Sequence, residues 1–151
     1  MIGLLQRVSE AAVEVEGETI ARIGAGLLVF ICVERGDSEA EVERMAERLL
    51  GYRVFSDGAG RLNCSVMDAD GDLLLVPQFT LAADTHKGMR PSLGRAAAPE
   101  RGAELFEQLV RQTREQYARV QAGRFGAHMR VALINDGPVT FWLETGRGGA
   151  A

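Results

Sequence analysis

The run Leu27-Leu28-Val29-Phe30-Ile31-Cys32-Val33 carries no charge, and no other stretch constrains the fold as tightly. A segment this short and this apolar reads as a strand, and its lack of polar alternation places it at the buried centre of a sheet. Leu73-Leu74-Leu75-Val76 reads the same way. Residues 2–8 form a further strand, and 12–15 and 19–23 alternate apolar with polar about a turn at Glu16-Gly17, which predicts a hairpin. Residues 53–55 and 62–67 are expected to extend the sheet on either side of the Gly-rich turn 56–60. Two last strands, 129–134 and 139–143, are joined by Asn135-Asp136-Gly137-Pro138.

Helical spacing occurs twice. Asp37-Ser38 supplies cap chemistry, and Val42, Met45, Ala46, Leu49 and Leu50 then recur at three- and four-residue steps up to Gly51. Pro99 suits a first helical turn, after which Ala103, Phe106, Leu109, Val110, Thr113 and Tyr117 share one side. Between them, 82–98 lose all periodicity around Gly88, Pro91 and Gly94, and a loop of that length is usually functional or mobile. The expected fold is α/β, with mixed β-sheets packed in layers and two main helices. One domain covers 1–145, and 146–151 form a frayed tail.

Composition narrows the class of function. A chain of 151 residues, 46% hydrophobic and 25% charged, suits one globular domain. No apolar run approaches the roughly 20 residues that span a bilayer, and the N-terminus lacks a secretory pattern, so the expected setting is cytoplasmic with no membrane partner. Cys32 and Cys64 lie far apart, with only His86 and His128 as further soft ligands, so no metal and no cofactor are expected. The net charge is −4, but residues 1–75 carry −7 and residues 76–151 carry +3. The second half is therefore the one able to face phosphates, although solvated helix faces of arbitrary sign account for the same numbers.

Two segments place rigid or polar groups inside apolar strand contexts: Leu75-Val76-Pro77-Gln78-Phe79-Thr80-Leu81 and Ile134-Asn135-Asp136-Gly137-Pro138-Val139-Thr140-Phe141-Trp142. Gly137-Pro138 reads either as an ordinary turn or as backbone free to approach a ligand without a side chain in the way. Thr80 is the nucleophile candidate by position, but a lone threonine on a strand more often bonds locally. His86 would have to fold back to serve as its base, and His128 is equally a packed or solvent-facing residue.

These segments resemble the Ser-Gln-Phe-Thr and Asn-x-Gly-Pro-x-Thr signatures of the D-aminoacyl-tRNA deacylases. The resemblance runs through Leu5-Gln6-Arg7-Val8, Gly24-Ala25-Gly26-Leu27-Leu28-Val29, Val33-Glu34-Arg35-Gly36-Asp37, Ala83-Asp84-Thr85-His86-Lys87-Gly88, Arg90-Pro91-Ser92 and Gly123-Arg124-Phe125-Gly126-Ala127, in the same order. One position departs: Pro77 stands where the family usually has serine, so it offers neither N–H nor hydroxyl.

The resemblance implies a homodimer acting on the acceptor end of aminoacylated tRNA. It would hydrolyse D-aminoacyl esters, and glycyl esters on alanine tRNA, with help from the ribose 2′-hydroxyl. Gln78, Phe79 and Thr80 would form the catalytic corner. Gly137-Pro138, as a cis pair from the other subunit, would exclude L side chains, with Asn135 and Thr140 fixing the turn and Arg7 bracing it. Phe125 and Met129 would line an adenine pocket, and Lys87, Arg90 and Arg124 would touch phosphates. Two other readings stay open: a module that binds a nucleotide or D-amino acid without turnover, and an esterase using Thr80 as nucleophile.

Overall fold

The computed structural model describes residues 1–146, so the tail expected at 146–151 lies outside the described residues from 147 onward. Along the chain come β1 (Ile2–Val15), β2 (Glu18–Ile23), β3 (Gly26–Cys32), α1 (Glu39–Gly51), β4 (Phe55–Ser56) and β5 (Leu62–Cys64). They are followed by β6 (Asp72–Pro77), a 3-10 turn (Phe79–Ala82), α2 (Pro99–Gln116), β7 (Val120–Ala122) and β8 (Arg130–Glu144).

The two apolar runs become β3 and β6, paired in parallel from Gly26↔Asp72 to Ile31↔Pro77. Both of their faces are covered. Leu27, Val29, Ile31, Leu73 and Leu75 join Val42, Met45, Leu49, Leu105 and Leu109 in a core between sheet and helices. Leu28, Leu74 and Val76 point the other way, into a second core with Val8, Val13, Ala21 and Ile23. Period-two alternation thus feeds two cores from the same strands.

β1 explains how the second core closes. One of its edges pairs with β8 from Ile2↔Glu144 to Glu14↔Arg130. Its other edge pairs first with β3 (Ile2–Val8) and then with β2 (Ala11–Val15), so β2 and β3 lie end to end. Gln121 in β7 accepts from Arg22 N at 2.9 Å and donates to Arg22 O at 2.7 Å, tying the β7 edge to β2. The sheet therefore curls nearly into a barrel. Gly26 permits the tight start of β3, because a Cβ there would stand 1.9 Å from Asp72 O.

Three expectations need correction. Residues 2–8 and 12–15 are one strand: irregularities against β8 between Gln6 and Glu10 bend it at exposed Ser9 and Glu10, which interrupts the apolar pattern without ending the pairing. Residues 129–134 and 139–143 are likewise one strand, β8, with Asn135-Asp136-Gly137-Pro138 bulged out of it. Residues 53–55 and 62–67 do not extend the sheet, since β4 and β5 pair only with each other. Asp57 collects Ala59 N, Arg61 N and Asn63 Nδ2, while Ser65 and Asp68 exchange bonds that turn the chain away after Cys64.

The helices fall where their caps put them. Ser38 and Glu41 form a reciprocal capping box at the start of α1, and the Ser38 hydroxyl and amide hold the Glu41 carboxyl below its usual range. α2 opens with Pro99 and buries Gly102, Leu105, Phe106, Leu109, Val110 and Thr113. Ala103 is only half-buried, and Tyr117 caps the helix, donating to Gly71 O at 2.6 Å.

Candidate active site

The end of β6 sets the first part of the site. Gln78 N donates to Ile31 O at 2.7 Å, the last sheet bond on the β3 side. Alternation turns position 77 toward β7, but β7 ends at Ala122 and its last bond is Gly123 N to Leu75 O at 2.8 Å. Proline, which has no amide to donate, thus stands where the named pairing with β7 has ended, its Cδ within 3.4 Å of where a Gly123 Cβ would be.

Residues 79–82 then wind into a 3-10 turn, so Phe79, Thr80 and Leu81 do not continue the strand. Phe79 is 55% exposed, and its carbonyl accepts from Cys32 Sγ at 3.4 Å. Thr80 is exposed and its Oγ1 accepts from the Gln78 side-chain amide. Among the described residues no hydrogen bond engages the amides of Phe79 or Thr80. His86 lies in the loop with its amide on Asp84 Oδ1 at 3.0 Å, and no bond joins it to Thr80.

A cavity of about 420 Å³ opens beside this corner, between Val76, Pro77, Gln78 and Phe79 on one wall and Phe125, Gly126, Ala127 and Met129 on the other. His128 is on its rim and exposed. Two glycines shape it: Gly102, absent from the sequence reading, and Gly123, quoted there without a role. A Cβ at Gly102 would lie 3.0 Å from Phe125 Cζ, and one at Gly123 would lie 2.9 Å from Met129 Sδ. Phe125 is held against Phe106 with ring centroids 6.3 Å apart. The walls are mainly apolar and aromatic, as suits a flat ring.

The three cations expected at phosphates do not line this cavity. Lys87 and Arg90 project from an exposed loop closed by paired bonds between Asp84 and Ser92, and Arg124 precedes Phe125 on the surface. None of the ion pairs among the described residues involves these three. A larger cleft, about 790 Å³, lies on the other side of Phe125 and touches none of Gln78, Phe79 or Thr80.

The second part of the site is the 135–140 turn, which polar side chains hold. Asn135 Nδ2 donates to Val139 O at 3.2 Å and to Thr140 Oγ1 at 3.1 Å, and its Oδ1 accepts from Val139 N at 2.9 Å. Arg7 Nε donates to Asp136 O and Nη1 to Val54 O, each at 2.9 Å. Val54 was not a sequence candidate, because a backbone acceptor leaves no mark in residue type. The Gly137-Pro138 bond is cis, and both residues are exposed. Gly137 has φ +155, and a Cβ on it would stand 2.5 Å from Val139 N.

Register separates the two parts. Gln6 faces Thr140 and Val8 faces Asn135, whereas the 3-10 turn follows Pro77, beside Ile31 and next to Cys32, which faces Ile2. The five steps along the strand from Ile2 to Arg7 span roughly 16 Å at about 3.3 Å each. The chain does not bring Gly137-Pro138 to its own 78–80 corner.

The family model described as D-Tyr-tRNA(Tyr) deacylase matches residues 4–144. The D-aminoacyl-tRNA deacylase of Alkalilimnicola ehrlichii is 62% identical over 95% of this chain and 96% of its own. That of Escherichia coli O1:K1 is 54% identical over 95% and 99%. A solved structure titled c-Myc DNA Unwinding Element Binding Protein superposes with a TM-score of 0.92 at 38% identity, covering 97% of this chain and 99% of that one. A probable eukaryotic D-amino acid tRNA deacylase shares the fold, with a TM-score of 0.81 at 18% identity. A family match over residues 4–144, with relatives 54% and 62% identical over 95% of the chain, places it in the D-Tyr-tRNA(Tyr) deacylase family.

Proposed function

We propose that this chain hydrolyses the ester of D-aminoacyl-tRNA, releasing free D-amino acid and tRNA, as a homodimer whose subunits complete each other's sites. The observation that carries the reading is the separation of the apolar cavity from the exposed Gly137-Pro138 turn, which leaves each half without its complement in one subunit. A second copy supplies it. The terminal adenine enters between Pro77, Phe125 and Met129, and the partner's turn meets the aminoacyl group. Backbone carbonyls there can accept from the α-amine, while their bulk excludes an L side chain.

The chemistry follows from what the corner lacks. Thr80 has an amide as partner, and an amide does not take up a proton, so a Thr80 nucleophile has no base. Water adds to the acyl carbon, the bond to the ribose oxygen breaks, and the neighbouring 2′-hydroxyl assists. The unengaged amides of Phe79 and Thr80 are the candidate donors to the oxyanion, acting through preorganisation. Glycyl-tRNA has no side chain to exclude and is also cleaved.

The test is loss of labelled amino acid from D-tyrosyl-, L-tyrosyl- and glycyl-tRNA with purified, metal-chelated protein. Rapid loss of the D and glycyl esters alone is expected, and a folded dimer that spares all three sinks the reading in favour of a binding module. Thr80→Ala should retain most activity, whereas a 2′-deoxy terminal adenosine should abolish it. The opposite pair of results restores the Thr80 esterase.

A further inference from the structure

We infer that the 790 Å³ cleft beside α2 is the track for the single-stranded nucleotides that precede the terminal adenosine of the substrate, an inference that rests on the deacylase reading. The cleft runs between α2 and the β2 and β7 edge, and Phe125 lines both it and the 420 Å³ cavity. A strand whose last base sits in the cavity therefore leaves past Phe125 into the cleft. Phe125 is the one lining residue that the two have in common.

The lining has the chemistry of a single-stranded RNA groove. Arg111 and Arg114, three apart on exposed positions of α2, face the same space as exposed Arg124. Arg114 is partly committed, since its Nε donates to Val120 O at 3.1 Å, but Arg111 and Arg124 take part in none of the ion pairs or side-chain bonds of the described residues. Glu107 and Glu115 share the lining, so the cleft is not a bare phosphate trap. Carboxylates there can accept from the amines of the cytidines that precede the terminal adenosine of tRNA, while the guanidinium groups take the phosphates. Half-buried Ile20 and Phe125 give the cleft apolar surface for base contacts.

The far wall is rigid. The two-bond clamp of Gln121 on the Arg22 backbone fixes the β2 edge against β7. The track is therefore part of the barrel closure, and a strand entering it meets a preformed surface.

The experiment compares D-tyrosyl-tRNA with D-tyrosyl-adenosine, which ends where the cleft begins. Wild-type protein should prefer the tRNA ester in kcat/KM. Arg111→Gln should cut that preference roughly tenfold, mainly through KM, and lower the salt slope of kcat/KM on tRNA by about 0.7, the value for one single-strand phosphate contact. Arg111→Lys should restore most of both, because the charge returns. An unchanged preference and salt slope in Arg111→Gln and Arg124→Gln would overturn the track. So would a wild-type protein that cleaves both esters equally well, whereas one that cleaves neither refutes the deacylase reading itself.

Discussion

The 78–80 corner and the 135–140 turn are made of opposite materials. The corner is a strand end: one amide bond to Ile31 O, a 3-10 turn, and an apolar cavity shaped by glycines on the facing elements. The turn is a bulge in an exposed strand, held by Asn135 from within and by Arg7 from the neighbouring strand. The corner thus draws its shape from the core and tolerates change at its polar atoms. The turn draws its shape from a few hydrogen bonds and tolerates little. On the proposed function, a ligand held between two such surfaces would be bound by one and judged by the other.

The sharpest way to break this contrast is Gly137→Val. The new Cβ meets Val139 N at 2.5 Å, and φ +155 is one that L side chains rarely adopt. Strain at such a position costs about 1–3 kcal/mol, so the turn refolds locally to avoid it. Activity on D-tyrosyl-tRNA should fall roughly 100-fold or lose its preference for D over L, which corresponds to about 2.7 kcal/mol. An unchanged D/L ratio with unchanged thermal unfolding would remove the turn from the site. Arg7→Ala comes next. It strips donors from Asp136 O and Val54 O at once, a loss of about 1–3 kcal/mol, and should lower kcat/KM about tenfold. Arg7→Lys should not recover it, because a single ammonium cannot span two acceptors that a planar fork reaches. Full activity in Arg7→Ala would mean that Asn135 alone sets the turn.

At the corner the expected effects are smaller. Pro77→Ser adds an amide past the end of β7 and a hydroxyl at the cavity wall, so kcat/KM should change by less than about threefold. A change above tenfold would show that the corner, too, depends on its polar atoms.

The sequence displayed these two regions unequally. The corner's motif was legible as residues, because Gln78, Phe79 and Thr80 follow a run whose burial was plain from Leu73 to Val76. Its 3-10 geometry was not, since Phe79 and Leu81 fit a strand as well as a turn. The cavity opposite depended on Gly102 and Gly123, and a glycine in a helix or after a short strand carries no sign of which ring will fill its place. At the turn, Asn135-Asp136-Gly137-Pro138 reads as a connection between strands, and only the unbroken pairing with β1 reveals a bulge. The same long-range pairing joined residues 2–15 across Ser9 and Glu10. Local pattern gave the cap of α1 at Asp37-Ser38 and the buried strands, while closure by Gln121 and bracing through Val54 O depend on contacts between residues far apart in the chain.

The least conspicuous test of the contrast is at Cys32, which supports the corner from beneath. Its thiol is fully buried and lies 3.4 Å from Phe79 O, and burial pushes its pKa up from 9.0 to about 11. Between those values the unfolded chain releases the proton while the folded one keeps it, so the unfolded state binds fewer protons and stability falls as pH rises. The contribution is complete below pH 9.0 and is lost by about pH 11, where a thiolate would face the Phe79 carbonyl. Denaturant midpoints measured from pH 8 to 11 should therefore decline more steeply in the wild type than in Cys32→Ala, which lowers stability throughout but has no thiol to titrate. Parallel slopes would mean that Cys32 ionises as readily in the fold as out of it. The corner would then be open to water beneath Phe79 and, like the turn, held by exposed polar contacts and not by the core.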